Sequence, residues 1–288
     1  MPSLRDVKKR IRSVISSRQI TKAMEMVAAA KLRRAQLKVM QVRPYSEKMD
    51  HILESLSVAA EGELIHPFFE KRALKKQTLV LITSDRGLCG SFNANLIRKA
   101  QEWLEGKEKD KVELVLIGKK GSDFYKRRQW EIVGKFNDFS GTLNYSKARE
   151  VVDLLTNRFL KSQTDEIVII YTQFISTVRY RLNTVRYLPV ERPVVDEKKG
   201  RGLEYIFEPS PDMIFSDLMP RYALTKMITS LAESFASEQG TRMIAMGAAT
   251  KNAGEMIDTL TLQYNKARQS AITKELLEIV SGAEALRG

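Results

Sequence analysis

From Met243 onward, Met243, Met246, Thr250, Ala253, Ile257, Leu260, Tyr264, Ala267 and Ala271 follow one another by alternating steps of three and four. A seam of that period, held for about four heptads, predicts a coiled-coil helix rather than an ordinary globular one. No proline follows Pro220, so the helix is expected to run from Pro211 to Ser281. At 1.5 Å per residue such a helix is about 100 Å long. A chain of 288 residues cannot enclose that length in one compact domain, so the helix must project and its seam needs a partner. The first stretch of the chain supplies one. Leu4, Val7, Ile11 and Val14 step by 3, 4 and 3, and Ile20, Ala23, Val27 and Ala30 repeat those steps after a break in phase. Both sets predict one long amphipathic helix over residues 1–60, which Pro44 should end or kink by removing a backbone hydrogen bond and crowding the preceding turn. The simplest arrangement is an antiparallel hairpin, with the end of the last helix continuing alone past the start of the first.

The middle of the chain has another rhythm. Thr78–Thr83, Val112–Ile117 and Glu166–Thr172 are short continuous apolar runs, and Glu131–Lys135 reads as a further short strand. Helical patterns at Phe92–Leu104 and Ser146–Leu160 lie among them, and Thr177–Val190 alternates as an edge strand or hairpin would. Strands alternating with helices predict a mainly parallel sheet. The fold class is therefore α/β plus a long antiparallel α-helical coiled coil: a Rossmann-like α/β domain at 61–211 inserted between N- and C-terminal coiled-coil helices at 1–60 and 212–288.

Charge sharpens this division. Residues 1–60 hold thirteen Lys/Arg against five Asp/Glu, whereas residues 212–288 hold eight against nine. A basic first helix fits an acidic protein partner, a nucleic acid or an anionic membrane surface, and equally a solvated helix face. No apolar run reaches the length of a membrane span, and the charged N-terminus does not read as a secretory leader. One cysteine, Cys89, allows no internal disulfide.

Candidate chemistry is sparse. The turn SDRGLCGS follows a strand and precedes a helix, the place of a phosphate loop, yet it has neither G-x-G-x-x-G nor a Walker sequence; tight packing explains its glycines better. GKKGS after the second run is no Walker sequence either. Cys89 lacks the second glycine of a nucleophile elbow, since Ser91 stands there, and reads as a buried thiol. His51 and His66 have no companion at ligand spacing, so neither a zinc site nor a histidine triad is expected. No cofactor is expected. Gly240, Gly247 and Gly254 recur every seven residues, which suggests a stripe kept low for the neighbouring helix. The terminal ELLEIVSGAEAL predicts a greasy tip that needs a sleeve from another protein.

ITKAMEMVAAAKL (20–32), SDRGLCGSFN (84–93) and the block from Arg242 to Ala283 resemble the gamma subunits of F-type ATP synthases, and the resemblance covers the whole chain. It implies a non-catalytic central rotor shaft, coupling proton-driven c-ring rotation to ATP synthesis or hydrolysis on beta subunits. It also implies as partners the alpha and beta subunits of the catalytic ring, the epsilon subunit and the c-ring. Peripheral attachment to the inner, cytoplasmic face of a bacterial-type plasma membrane follows. By motif position, Arg268, Gln269 and Thr273 resemble contacts with a beta-subunit loop. Met24 and the cluster Lys8, Lys9 and Arg10 resemble contacts with the beta lever. Gln41, Arg43, Tyr205 and Glu208 resemble the foot that meets the c-ring and epsilon, and the resemblance implies Arg242 as a further partner contact. The paired-cysteine insertion of chloroplast members is absent. The alternative from another class is a basic coiled-coil nucleic-acid-binding protein, against which stands the near-neutral last helix.

Overall fold

The computed structural model describes residues 3–59, 66–139, 141–191 and 211–285. Five helices and five strands follow one another: α1 (Leu4–Ala59), β1 (Gln77–Ile82), α2 (Phe92–Leu104), β2 (Val112–Ile117), α3 (Lys119–Tyr125), β3 (Glu131–Phe136), α4 (Tyr145–Leu160), β4 (Glu166–Ser176), β5 (Arg179–Leu188) and α5 (Pro211–Ala285). The chain divides into two units, Met1–Val27 with Met243–Gly288, and Ala28–Arg242, so α1 and α5 each contribute to both.

In the first unit α1 starts on a reciprocal cap: the Asp6 amide donates to Ser3 Oγ at 3.2 Å, and the Ser3 amide donates back to Asp6 Oδ2 at 3.3 Å. α1 and α5 run antiparallel here. Thr250 Oγ1 donates to Thr21 Oγ1 at 2.9 Å, and Glu25 lies over Gly247. Met246 and Leu260 are buried, and Met243, Thr250, Ala253, Ile257, Tyr264 and Ala267 half-buried, as the 3.5-residue period requires; Ala271 is exposed.

The phase break expected in α1 does not exist. Val14 is followed on the seam by Thr21, Glu25 and Ala28, which keep strict heptad spacing, while Ile20, Ala23, Val27 and Ala30 are exposed. Polar residues hold seam positions because the two threonines satisfy each other, so hydrophobicity alone misassigned the face.

In the second unit five strands form one sheet in the order β3-β2-β1-β4-β5, parallel except for the β4–β5 hairpin. Alternate residues of β1, β2 and β4 feed two cores. Leu79, Leu81, Leu114, Leu116, Val168 and Ile170 pack with Phe92, Leu96, Ala100 and Leu104 of α2 and with Tyr125. Val80, Ile82, Val115, Ile117, Ile167 and Ile169 pack with α4 and with α1 and α5, through Leu53, Leu56, Phe215, Met219 and Met227. The inner stretches of the long helices are thus part of the α/β layer rather than a coiled coil apart from it. That explains why α1 runs through Pro44 unbroken: Val42, Ser46, Met49, Leu53 and Leu56 are buried on both sides of it, and this packing outweighs one lost backbone bond. Pro220 lies inside α5 in the same way. GKKGS after β2 opens α3, with Gly118 just before its first residue.

The glycine stripe is corrected too. A Cβ on Gly240 would sit 2.9 Å from the Thr177 carbonyl, so the tightest neighbour is the β4–β5 turn, while α1 makes only an ordinary contact there through Leu32 at 3.8 Å. Gly247 has only ordinary contact with Glu25, and nothing lies within 4 Å of a Cβ on Gly254.

Tyr125 carries one testable cost. Its hydroxyl is buried and, among the described residues, without a hydrogen-bond partner, and burial pushes the phenol up to about 12. Tyr125→Phe is expected to raise stability by about 1 kcal/mol in urea unfolding near neutral pH. The unfolded phenol ionises near its ordinary value of 10, while the folded one keeps its proton to about 12. The tyrosine's contribution to stability is therefore full below pH 10 and falls as pH rises above it. The advantage of the phenylalanine variant should accordingly widen with pH through that window.

Candidate functional site

The residues singled out for partner contact fall into two groups. In the first unit Lys8, Lys9 and Arg10 are exposed on α1, flanking the buried Val7, and Met24 is half-buried at the seam. Ala267 is the last half-buried residue of α5, and from Arg268 to Ala283 every residue of the helix is exposed. Arg268, Gln269 and Thr273 therefore stand where α1 ends and α5 continues alone. Thr273 Oγ1 donates to the Gln269 backbone carbonyl at 3.0 Å inside the helix, and Gln269 is exposed. Beyond them Leu276, Leu277, Ile279 and Val280 are exposed apolar side chains on a single helix, with Lys274 and Glu278 paired to each other at 3.6 Å. A contiguous exposed apolar surface of this kind marks an interaction site. Ile20, Met26 and Val27 add an exposed apolar stripe on α1.

In the second unit Gln41 is exposed and accepts a hydrogen bond from Lys38 Nζ at 3.3 Å. Arg43 is turned inward: its Nη2 donates to Glu233 Oε1 at 2.8 Å and to the Phe174 carbonyl at 3.0 Å. Burial raises the Glu233 carboxyl, and Arg43 opposes that shift. Arg242 is also turned inward, against Glu238 and the turn after β1. Tyr205 and Glu208 lie outside the described residues.

Two places in this unit look like ligand sites. A cavity of about 570 Å³ opens between α1, α5 and the β4–β5 hairpin, with Tyr171, Tyr222, Arg43, Arg186, Lys226 and Glu233 on its walls. Its cations are already matched: Arg43 with Glu233, Lys226 with Asp50 at 2.6 Å, and Arg186 with Glu166 at 2.7 Å. The other place is the carboxyl end of β1 and β2, beside the switch in strand order between β1 and β4 where open α/β sheets usually hold ligands. There Asp85 Oδ1 accepts the amides of Lys119 and Asp138, each at 3.2 Å, so a carboxylate of the chain itself occupies the position of an anionic ligand. Glu238 and Arg242 of α5 close the same end of the sheet. Glu238 was not apparent in the sequence, although its spacing of four from Arg242, in a helix otherwise rich in small and apolar residues, is a readable signal. Among the described residues no cluster of three or more His, Cys, Asp or Glu could hold a metal ion, and no helix is long and apolar enough to cross a membrane.

The comparisons agree with one another. The family model described as "ATP synthase" matches residues 3–286. The chain is 47% identical to an "ATP synthase gamma chain" of Moorella thermoacetica, and the match covers all of both chains. It is 45% identical to another of that description from an Anaeromyxobacter species, again over all of both chains. Its fold is similar to a chain in the cryo-EM structure of the Euglena gracilis mitochondrial ATP synthase, OSCP/F1/c-ring, with a TM-score of 0.72 at 20% identity, covering 98% of this chain and 94% of that one.

Proposed function

The chain belongs to the gamma chains of ATP synthase, and we propose that it works as the central rotor shaft, coupling proton-driven rotation of a c-ring to ATP synthesis or hydrolysis on surrounding beta subunits. The observation that carries this is the end of α5: an exposed, apolar single helix from Arg268 on, continuing past the start of α1. Such a surface needs a sleeve, and a ring of alternating alpha and beta subunits is the sleeve that fits.

The physics of a shaft accounts for the features of the first unit. Two helices locked along a heptad seam resist torsion better than one. The apolar tip can slide within a sleeve because dispersion contacts carry no fixed direction, whereas strong hydrogen bonds would favour a single angle. The cations at Lys8, Lys9 and Arg10 can pair with acidic levers and re-form those pairs at each successive beta subunit. Nucleotide chemistry belongs to the surrounding subunits; Asp85 and Arg242 filling the chain's own crevice supports that division. The foot that meets epsilon and the c-ring is assigned to the α/β unit and to the exposed Gln41; Arg43, turned onto Glu233, supports it from inside, and Tyr205 and Glu208 lie outside the described residues. The shaft is then peripheral, on the inner, cytoplasmic face of a bacterial plasma membrane. The nucleic-acid alternative has no support from the family.

Cross-linking tests the reading directly. A cysteine placed at Leu276 should bond to a co-expressed alpha–beta ring; a tip that never enters the ring would sink the proposal. A variant with Lys8, Lys9 and Arg10 changed to glutamine, and a second with Arg268→Ala and Gln269→Ala, should each synthesise ATP about tenfold more slowly in proton-driven vesicles, as about 1.4 kcal/mol of lost contact energy would produce. Their thermal unfolding should hardly move, since these positions are exposed. Wild-type synthesis rates would show that these are not the working contacts.

A further inference from the structure

The turn after β1 is held in an unusual way. Its residue Leu88 is 61% exposed and has a φ of 61°, a left-handed backbone that a leucine adopts only when its surroundings impose it. The residues on either side supply the constraint. Arg242, on α5, donates from Nη2 to the carbonyl of Arg86 at 3.0 Å and to that of Gly87 at 3.3 Å, and from Nε to Gly87 at 3.4 Å. Glu238, one turn earlier on α5, takes Arg242 Nη1 at 2.6 Å. Gln239 Nε2 donates to the same Glu238 oxygen at 3.2 Å, and a Cβ on Gly141 would overlap that amide. From the strand side Ser84 Oγ donates to the Arg86 carbonyl at 2.7 Å, and Cys89 is buried immediately after the turn. Glu238, Gln239 and Arg242 are all buried.

A guanidinium offers a rigid planar fork, and this one spends it on two consecutive backbone carbonyls rather than on a ligand or on solvent. A buried carboxylate that aims that fork and otherwise takes only the Gln239 amide is an expensive way to stabilise a fold, because replacing such a pair with well-packed apolar groups is often neutral to stability. Its value lies in position. The turn, which would otherwise be a loop on a strand end, becomes an outgrowth of α5.

We propose that Arg242, aimed by Glu238, is a positioning residue of the rotor, fixing the Arg86–Leu88 turn to α5 so that helix and turn move as one piece. Torque passed through a yielding contact is lost as local deformation, so the brace acts on coupling rather than on assembly. This directs Arg242 inward, away from the partner contact that its motif implies. It rests on the shaft reading, but its structural half is measured independently, through Cys89.

The test uses the assembled complex with Arg242→Lys, Glu238→Gln, and the double variant carrying Glu238→Leu with Arg242→Met. Two quantities are read: the rate at which N-ethylmaleimide labels Cys89, followed on its own peptide by mass spectrometry, and the protons pumped per ATP hydrolysed. Lysine keeps a charge beside Glu238 but cannot fork to both carbonyls, so labelling should rise about tenfold as the turn opens locally. The pumping ratio should fall about threefold. The double variant separates position from stability: its melting temperature should stay near wild type, while labelling stays fast and the ratio low. Cys89 protected as in wild type in the double variant, or a wild-type ratio with Cys89 opened, overturns the proposal. A wild-type complex that hydrolyses ATP without pumping overturns the shaft reading and this proposal with it.

Discussion

Replacing Arg158 by leucine is expected to destabilise the Ala28–Arg242 unit by about 3–5 kcal/mol. Glu113, on β2, is wholly buried, with no exposed surface at all. It accepts Arg158 Nε at 2.8 Å and Nη2 at 2.5 Å, and Thr78 Oγ1 at 2.6 Å, with Lys76 Nζ at 3.9 Å. Its hydrogen bond to Glu113 is the main cause that raises the Arg158 guanidinium above its ordinary value. Taking Arg158 away leaves a carboxylate between two strands without its principal counter-charge, which is far worse than having no charge there. Adding Glu113→Leu to the Arg158→Leu variant should therefore recover much of the loss, because Thr78 keeps Thr164 Oγ1 as a partner at 2.9 Å. Urea midpoints of the two variants check this. A single variant that loses less than about 1 kcal/mol would refute the account.

Gly118→Ala should be comparably severe, at about 4 kcal/mol or more. Gly118 joins β2 to α3 with a φ of 92°, where an L side chain is strained, and a Cβ there would overlap the Thr83 carbonyl oxygen and lie 2.6 Å from its carbon. That carbonyl cannot withdraw freely, because the Thr83 amide is bonded to the Ile117 carbonyl at 2.8 Å and Gly118 itself donates to Phe136 at 2.8 Å. Gly106→Ala is the control. Its φ is 75°, but nothing lies within 4 Å of the new Cβ, so the loss should be about 1 kcal/mol, from backbone strain alone. Thermal or urea unfolding of both variants separates overlap from dihedral strain, and equal losses would show that overlap plays no part.

Legibility in the sequence followed locality. Continuous apolar runs bounded by turns placed β1, β2 and β4 within a residue or two at their starts, since a strand buried on both faces is apolar at most of its positions and Glu113 and Thr78 interrupt the runs only singly. The 3.5 period placed the α5 seam because every seam residue on that side is apolar or small. α1 was misread between Val14 and Ala28 for the converse reason. Its seam carries Thr21 and Glu25 there, while Ile20 and Val27 face outward, so following hydrophobicity led to the exposed face. The roles of Arg43 and Arg242 were hidden in the same way: no local pattern tells that a basic residue faces Glu233 or two carbonyls more than a hundred residues away.

The sequence alone therefore determined the types and order of the elements other than α3, the heptad hairpin and the greasy end of α5, because hydrophobic period acts within a few residues. Only the tertiary structure decided which face of α1 is inside, that the inner stretches of both long helices belong to the α/β core, and that Arg242 is turned onto the chain itself. Those outcomes are settled by partners distant in sequence, whose burial and hydrogen bonds outweigh any local preference.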